Sequence, residues 1–197
     1  LYAATGKEKY RLAAQALKAA LDEQPRTHEG SFWHKKIYPN QVWLDGLYMA
    51  QVFYARYTTE MEACKGYEDI RRQFRTVRER MFDEATGLYR HGYDASKTAF
   101  WADKETGCSM NPWLRSLGWF SAALIDVTAE IDDASFRADM TAIAQELTAL
   151  GICENTYFHI SDEPFGEENL KNYLAAKAVV APYLKDFIIM DALSEFD

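Results

Sequence analysis

The sequence predicts an all-α protein built as a toroid, with inner helices forming a ring and outer helices covering them. Three observations predict it. Stretches apolar on nearly every side alternate with stretches apolar on one face only. Period-two strand patterns are nearly absent. Two long loops, residues 24–43 and 84–112, each lead into one of the all-round apolar stretches.

In chain order, residues 7–23 set Tyr10, Ala13, Leu17 and Leu21 on one stripe with Lys and Glu opposite, which predicts an outer helix. Residues 44–57, LDGLYMAQVFYARY, are apolar nearly all round and predict an inner one. Residues 67–83 gather Tyr67, Ile70, Phe74, Val77 and Met81 on one face and Arg side chains elsewhere, again an outer pattern. Residues 113–131, WLRSLGWFSAALIDVTAEI, are the second inner candidate. Asn111-Pro112 before them reads as a cap followed by Pro at the first helical position. Residues 134–151 return to the outer type. Beyond 151 a polar stretch precedes a helical run at 167–180 and then Pro182. The closing run reads as helix, while Phe187-Ile188-Ile189 also reads as a short strand.

The 197 residues, 48% of them hydrophobic, suffice for one core, and the expected organisation is a single domain over 1–197. A net charge of −8 argues against nucleic acid, whose phosphates need a basic face. It does not argue against a small anionic substrate, which needs only one or two cations in a cleft. Cys64, Cys108 and Cys153 form no CxxC pair and suggest neither a disulfide framework nor a metal site. They fit a reducing, cytoplasmic compartment. No apolar run approaches the roughly 18 residues of a membrane span, and no basic-then-apolar leader is read at the N-terminus, where Leu1 is not a natural start. Aromatic residues reach 14%, enough to serve both as core area and as flat platforms for ring-shaped ligands.

Both loops are rich in Gly, Trp, Tyr and His, and both feed helix N-termini at what is expected to be one end of the toroid. Loops converging on a rigid scaffold are where sites are built. Asp45 falls in the first turn of the first inner helix. It can be a helix-start acid favoured by the dipole. It can equally be an acid/base group, because Trp33, His34, Tyr38 and Trp43 precede it closely and strip water from a carboxyl. The helix dipole opposes the effect of that desolvation. The second loop offers His91, Trp101 and Asp103. Arg115 and Trp119 stand four apart on one helix face. They suit a carboxylate-bearing sugar, the guanidinium forking to the acid and the indole stacking on the ring, and they equally suit ordinary packing. His28 and His159 read as solvated or structural.

The segments FWHKKIYPNQVWLDGLYMA and LYRHGYDASKTAFWADKETGCSMNPWLRSLGWF resemble the unsaturated rhamnogalacturonyl hydrolases, helical-barrel glycoside hydrolases acting on pectin fragments. The resemblance runs from about residue 1 to residue 150 and rests on several separated motifs in one spacing. It implies an (α/α)6 barrel, with Asp45 of WLDG as the catalytic aspartate. Trp43 and His34 match neighbouring site residues, His91 the histidine of the second loop, and Arg115 and Trp119 the end of the site that takes the substrate carboxylate. Asp103 matches a recurrent position without an assignable role. The implied reaction is hydration of a C4=C5 double bond in a terminal uronic acid, and it implies no metal or organic cofactor.

The chain departs from that family in two ways. It offers fewer helices than six pairs, and the family's second site aspartate would lie before Leu1. Residues 151–197 diverge or are compressed, although AKAVVAPYLKDFIIMDALSEFD is similar to the family's closing run. The expectation is an incomplete barrel whose open edges favour homo-oligomers. A non-catalytic sugar-binding relative and an unsaturated glucuronyl hydrolase stand as alternatives. A helical-repeat scaffold does not fit, since no fixed period is visible.

Overall fold

The helical pattern is realised in the order the sequence predicts. A short helix, α1 (Tyr2–Thr5), precedes α2 (Glu8–Asp22), α3 (Leu44–Met61), α4 (Tyr67–Met81), α5 (Leu114–Glu130) and α6 (Ala134–Ala149). The structure, a computed structural model, describes residues 1–149, 157–158, 171 and 188–189. The chain divides into two compact units, Leu1–Leu147 and Thr148–Asp197.

In the first unit α3 and α5 pack side by side, and α4 packs on α3. The α4 stripe lies in the core as its spacing requires: Ile70, Phe74, Val77 and Met81 are buried. Phe120 of α5 meets Phe74 at 6.0 Å between ring centroids. Outer helices α4 and α6 are bound by charge as well as by packing. Arg71 and Arg75 of α4 reach Asp133 and Asp139, at 3.1 and 2.6 Å, while Phe136, Met140 and Ile143 bury the apolar side of α6. The inner helices are not fully covered, since Met49 of α3 and Ile125 of α5 are exposed.

Three features differ from the sequence reading. The first is the face of α2. Of the predicted stripe, Tyr10 and Leu21 are half-buried but Ala13 and Leu17 are exposed, and the most buried position is Lys18, with Arg11 and Ala14 half-buried beside it. The cause is Lys18, whose ammonium bonds Asp22 at 2.6 Å, lies 3.4 Å from Glu62 beyond α3, and sits over the Tyr54 ring. A buried cation with two carboxylates and an aromatic face fixes the rotation that hydrophobicity alone places elsewhere.

The second is strand structure within the loops. β1 (Gln41–Trp43) pairs antiparallel with β4 (Gly92–Asp94), in the register Gln41↔Asp94, Val42↔Tyr93 and Trp43↔Gly92. β2 (Phe82–Asp83) and β3 (Leu88–Tyr89) form a tight hairpin after α4. Strands of two or three residues are too short to show a period-two pattern. The β1–β4 pair zips one loop to the other.

The third is the start of α5. Trp113, extended at φ −136° and ψ 119°, occupies the cap position, so Asn111-Pro112 stands before the helix and does not cap it. The Asn111 carbonyl instead accepts from the hydroxyl of Ser109 and lies 2.8 Å from Nδ1 of His91.

The loop ahead of β1 folds back on α4. Arg26 forks to Asp69 with two bonds of 2.7 Å, and Gln73 accepts from the Phe32 N–H at 3.0 Å. In the second unit the described strands, β5 (Tyr157–Phe158) and β6 (Ile188–Ile189), pair in parallel. The strand reading of Ile188-Ile189 is therefore the one observed. His159, Cys153 and all of the predicted 167–180 helix except Lys171 lie outside the described residues.

Candidate active site

Trp43 ends β1 and is also the cap residue of α3, at φ −119° and ψ 145°. Strand therefore passes into helix without a spare residue, and Asp45 arrives in the first turn. The junction is tied to the second loop twice. β1 pairs with β4, and the Leu44 N–H donates to the His91 carbonyl at 3.1 Å.

The Asp45 side chain is buried, with 7% of the residue exposed. Its Oδ2 accepts a 2.8 Å hydrogen bond from the hydroxyl of Ser116, which is itself wholly buried in α5. Its Oδ1 lies 3.7 Å from Nε of Arg115. The two loop-to-helix junctions, distant in sequence, thus meet at this carboxylate.

Aromatic rings flank it. His34 stacks on Trp43 at 4.3 Å and 7°, and Tyr38 lies nearly parallel to the same indole at 5.4 Å. The indole N–H of Trp43 donates to Gln41 at 3.1 Å, which fixes the ring. A Cβ on Gly46 would stand 3.3 Å from Nδ1 of His34, so glycine after Asp45 lets the imidazole approach the helix. That Nδ1 is buried and has no hydrogen-bond partner among the described residues. Burial pushes the His34 imidazole below its ordinary value of 6.5, with the Asp45 charge pulling it back and Lys35 adding to the fall. The neutral ring therefore stabilises the fold fully above that ordinary value, and its contribution is lost as pH falls through the lower folded value. Urea midpoints are expected to drop on acidification below about pH 6.5, and His34→Asn should flatten that slope.

His91 stands just ahead of β4 in the second loop. Its Nδ1 lies 2.8 Å from the Asn111 carbonyl, which can only accept, so Nδ1 carries the hydrogen and Nε2 of the neutral ring is an acceptor. The ring lies edge-on to Trp113 at 5.8 Å and tilted to Trp101 at 6.4 Å.

The sequence pairs Arg115 with Trp119; the structure pairs it with Trp113. The guanidinium carbon stands 3.8 Å from the Trp113 ring centroid. Helical side chains lean toward the N-terminus, and there the cap residue Trp113 waits. Trp119 meets Tyr48 of α3 at 4.7 Å. Asp103 holds its own turn: Oδ1 accepts from the N–H groups of Glu105 and Thr106 and from the Thr106 hydroxyl, and these bonds lower its pKa. Sequence reasoning left out Ser116, Trp113 and Tyr48. Ser116 carries one legible signal, a small hydroxyl in the first turn of the helix directly after Arg115. Among the described residues no cluster of three or more His, Cys, Asp or Glu side chains is arranged to hold a metal ion.

The fold is shared with solved glycoside hydrolases of helical-toroid architecture. A solved glycoside hydrolase from family 105 of C. acetobutylicum ATCC 824 is 40% identical, with a TM-score of 0.74, over 78% of this chain and 43% of that one. A possible family 105 member from Salmonella enterica shares the fold at 17% identity and TM-score 0.65, over 93% and 56% of the two chains. The first unit is accordingly part of an (α/α)6 barrel. Residues 1–152 match the Glycosyl Hydrolase Family 88 model, and the chain belongs to that family. It is 30% identical over 160 residues to the unsaturated rhamnogalacturonyl hydrolase YesR of Bacillus subtilis, covering 74% of this chain and 44% of that protein. It is 37% identical over 89 residues to Protein Atu3128 of Agrobacterium fabrum, covering 45% and 38% of the two chains. The chain thus matches less than half the length of these curated relatives. A second model, the catalytic domain of glycoside hydrolase 123, matches residues 121–197.

Proposed function

We propose that the chain carries the acid/base centre of a hydrolase that removes a terminal unsaturated galacturonyl residue from rhamnogalacturonan oligosaccharides. The supporting observation is the meeting of a buried Asp45 carboxylate with the Arg115 guanidinium among stacked aromatic rings. The C4=C5 double bond of the substrate is an enol ether. Asp45 delivers a proton to C4, and the positive charge that develops at C5 is shared with the ring oxygen. As carboxylate, Asp45 then takes a proton from water as the water oxygen bonds to C5. The hemiketal so formed opens and releases the remaining sugar. One acid/base group suffices, where ordinary glycoside hydrolysis uses two carboxyls.

In this reading Arg115, half exposed and backed by the Trp113 indole, takes the substrate carboxylate, and the indoles bear the sugar rings. Incubation with an unsaturated galacturonyl-rhamnose disaccharide tests it through loss of the ultraviolet absorbance of the conjugated double bond. A panel including unsaturated glucuronyl disaccharides reads the sugar preference. Arg115→Ala is expected to raise KM on the order of ten- to a hundred-fold, the loss of a charge-assisted bond pair, with a smaller change in kcat.

A second reading, a sugar-binding relative without turnover, is supported by the Arg115 guanidinium stacked on the Trp113 ring, a pair that can hold a carboxylate-bearing sugar with no proton transfer. Calorimetric binding of the disaccharide without loss of absorbance selects it. The exposed Met49 and Ile125 on inner helices support self-association, which light scattering across a dilution series measures. Cys64 and Cys108, both free thiols, support a reducing compartment.

A further inference from the structure

We propose that Ser116 is a positioning residue for Asp45, holding one carboxylate oxygen so that the other is the oxygen that delivers and recovers the proton. This rests on the acid/base reading of Asp45 given above. The geometry gives the two oxygens different partners. Oδ2 accepts the Ser116 hydroxyl at 2.8 Å; Ser116 is wholly buried and Asp45 nearly so. Oδ1 lies 3.7 Å from Arg115, whose guanidinium is half open to solvent.

The Ser116 hydroxyl occupies one of the two lone pairs of Oδ2 and walls that oxygen against α5, which leaves Oδ1, on the side facing Arg115, as the oxygen open to a substrate. We take Oδ1 as the oxygen that carries the proton of the acid form. The sequence of events balances: Oδ1–H breaks as C4–H forms, and the π pair of C4=C5 makes that bond. The water O–H then breaks as its oxygen bonds C5, and the proton returns to Oδ1. The Ser116 bond persists throughout, so the carboxyl plane keeps one orientation for both transfers. Tight positioning of a reacting group matters because small misplacements are costly in rate.

The helix supplies the hydroxyl at little expense elsewhere. Ser116 lies in the first turn of α5, next to Arg115, so one turn addresses both oxygens of the same carboxylate. Alanine there removes the donor and leaves helix propensity improved.

The test uses the full chain and three variants, Ser116→Ala, Ser116→Thr and Asp45→Asn. Kinetics on the unsaturated disaccharide are expected to show kcat lowered about ten-fold in Ser116→Ala, the loss of one hydrogen bond to a charged group. KM is expected to stay within about two-fold, since no substrate contact is removed. Ser116→Thr, which keeps the hydroxyl, is expected to recover most of the rate. A separate readout needs no turnover. The carboxylate stretch of Asp45, isolated as the infrared difference between the wild-type chain and Asp45→Asn, is expected to shift in the Ser116→Ala background. Wild-type kcat in Ser116→Ala, or an unmoved carboxylate band, overturns the proposal. A wild-type chain without turnover removes the hydrolase reading and with it the catalytic consequence of Ser116. The band then still reads whether the hydroxyl holds Oδ2, so failure of the function and failure of the positioning are told apart.

Discussion

Asp45→Asn is expected to lower kcat on an unsaturated galacturonyl disaccharide by about a thousand-fold, within the range that a positioned general acid contributes. The substitution isolates the chemistry. Asparagine has the same shape, and its carbonyl oxygen can still accept from the Ser116 hydroxyl. What it lacks is a proton that can be given to carbon and taken back from water. Thermal melting of the variant is expected to stay close to that of the parent, because the contact at 3.7 Å to the half-exposed Arg115 contributes little. Rate measurements on both proteins, with the melting curves beside them, decide the matter. Equal rates would take Asp45 out of the mechanism.

Asp94→Ala is expected to destabilise the first unit by about 3 kcal/mol, the cost of losing four hydrogen bonds to one buried carboxylate. Asp94 is almost wholly buried at the end of β4. Its Oδ1 accepts from the N–H and hydroxyl of Ser96, at 2.9 and 2.6 Å, and its Oδ2 from the N–H groups of Thr98 and Ala99, at 2.9 and 2.7 Å. Desolvation works to raise its pKa, but these bonds outweigh it and the net shift is downward from 3.8. The sign follows. The stabilisation is fully present above that ordinary value and is lost as pH falls through the depressed folded value. Urea denaturation is expected to show the full difference between parent and variant near neutral pH and a shrinking one below about pH 3.8. Gly107 makes the same turn possible. Its φ of 83° is strained for other residues, and a Cβ there would lie 2.5 Å from the Asp94 carbonyl. The loop carrying Trp101 therefore depends on this corner, and a drop in activity is expected to accompany the loss of stability.

How far the sequence could be read depended on the kind of force involved. Helices α3 to α6 were legible because burial imposes a period, and α4 shows it fully: every residue from Ile70 to Met81 on its stripe is buried. The face of α2 was not legible, because Lys18 is held by Glu62 and Tyr54, residues about forty positions away that no local pattern reveals. The convergence of the two loops could be anticipated from their composition. The ladder joining them could not, since its three-residue strands fall below the length at which alternation is visible. Within the site, Asp45, Trp43 and His34 stood out by proximity in sequence. The partner of Arg115 did not, because helix spacing pointed to Trp119 whereas the lean of the side chain selects Trp113.

The seamless passage from β1 into α3 makes the site a matter of phase. Trp43 belongs to the ladder and starts the helix, so the angular setting of Asp45 is dictated by the register in which Trp43 faces Gly92. Adding or removing a single residue between them would turn the carboxyl by about 100° around the helix axis. It would then point away from Ser116 and Arg115 while leaving every helix intact. Single-residue insertions are therefore expected to be tolerated outside that joint, in the turns, and to abolish activity within it.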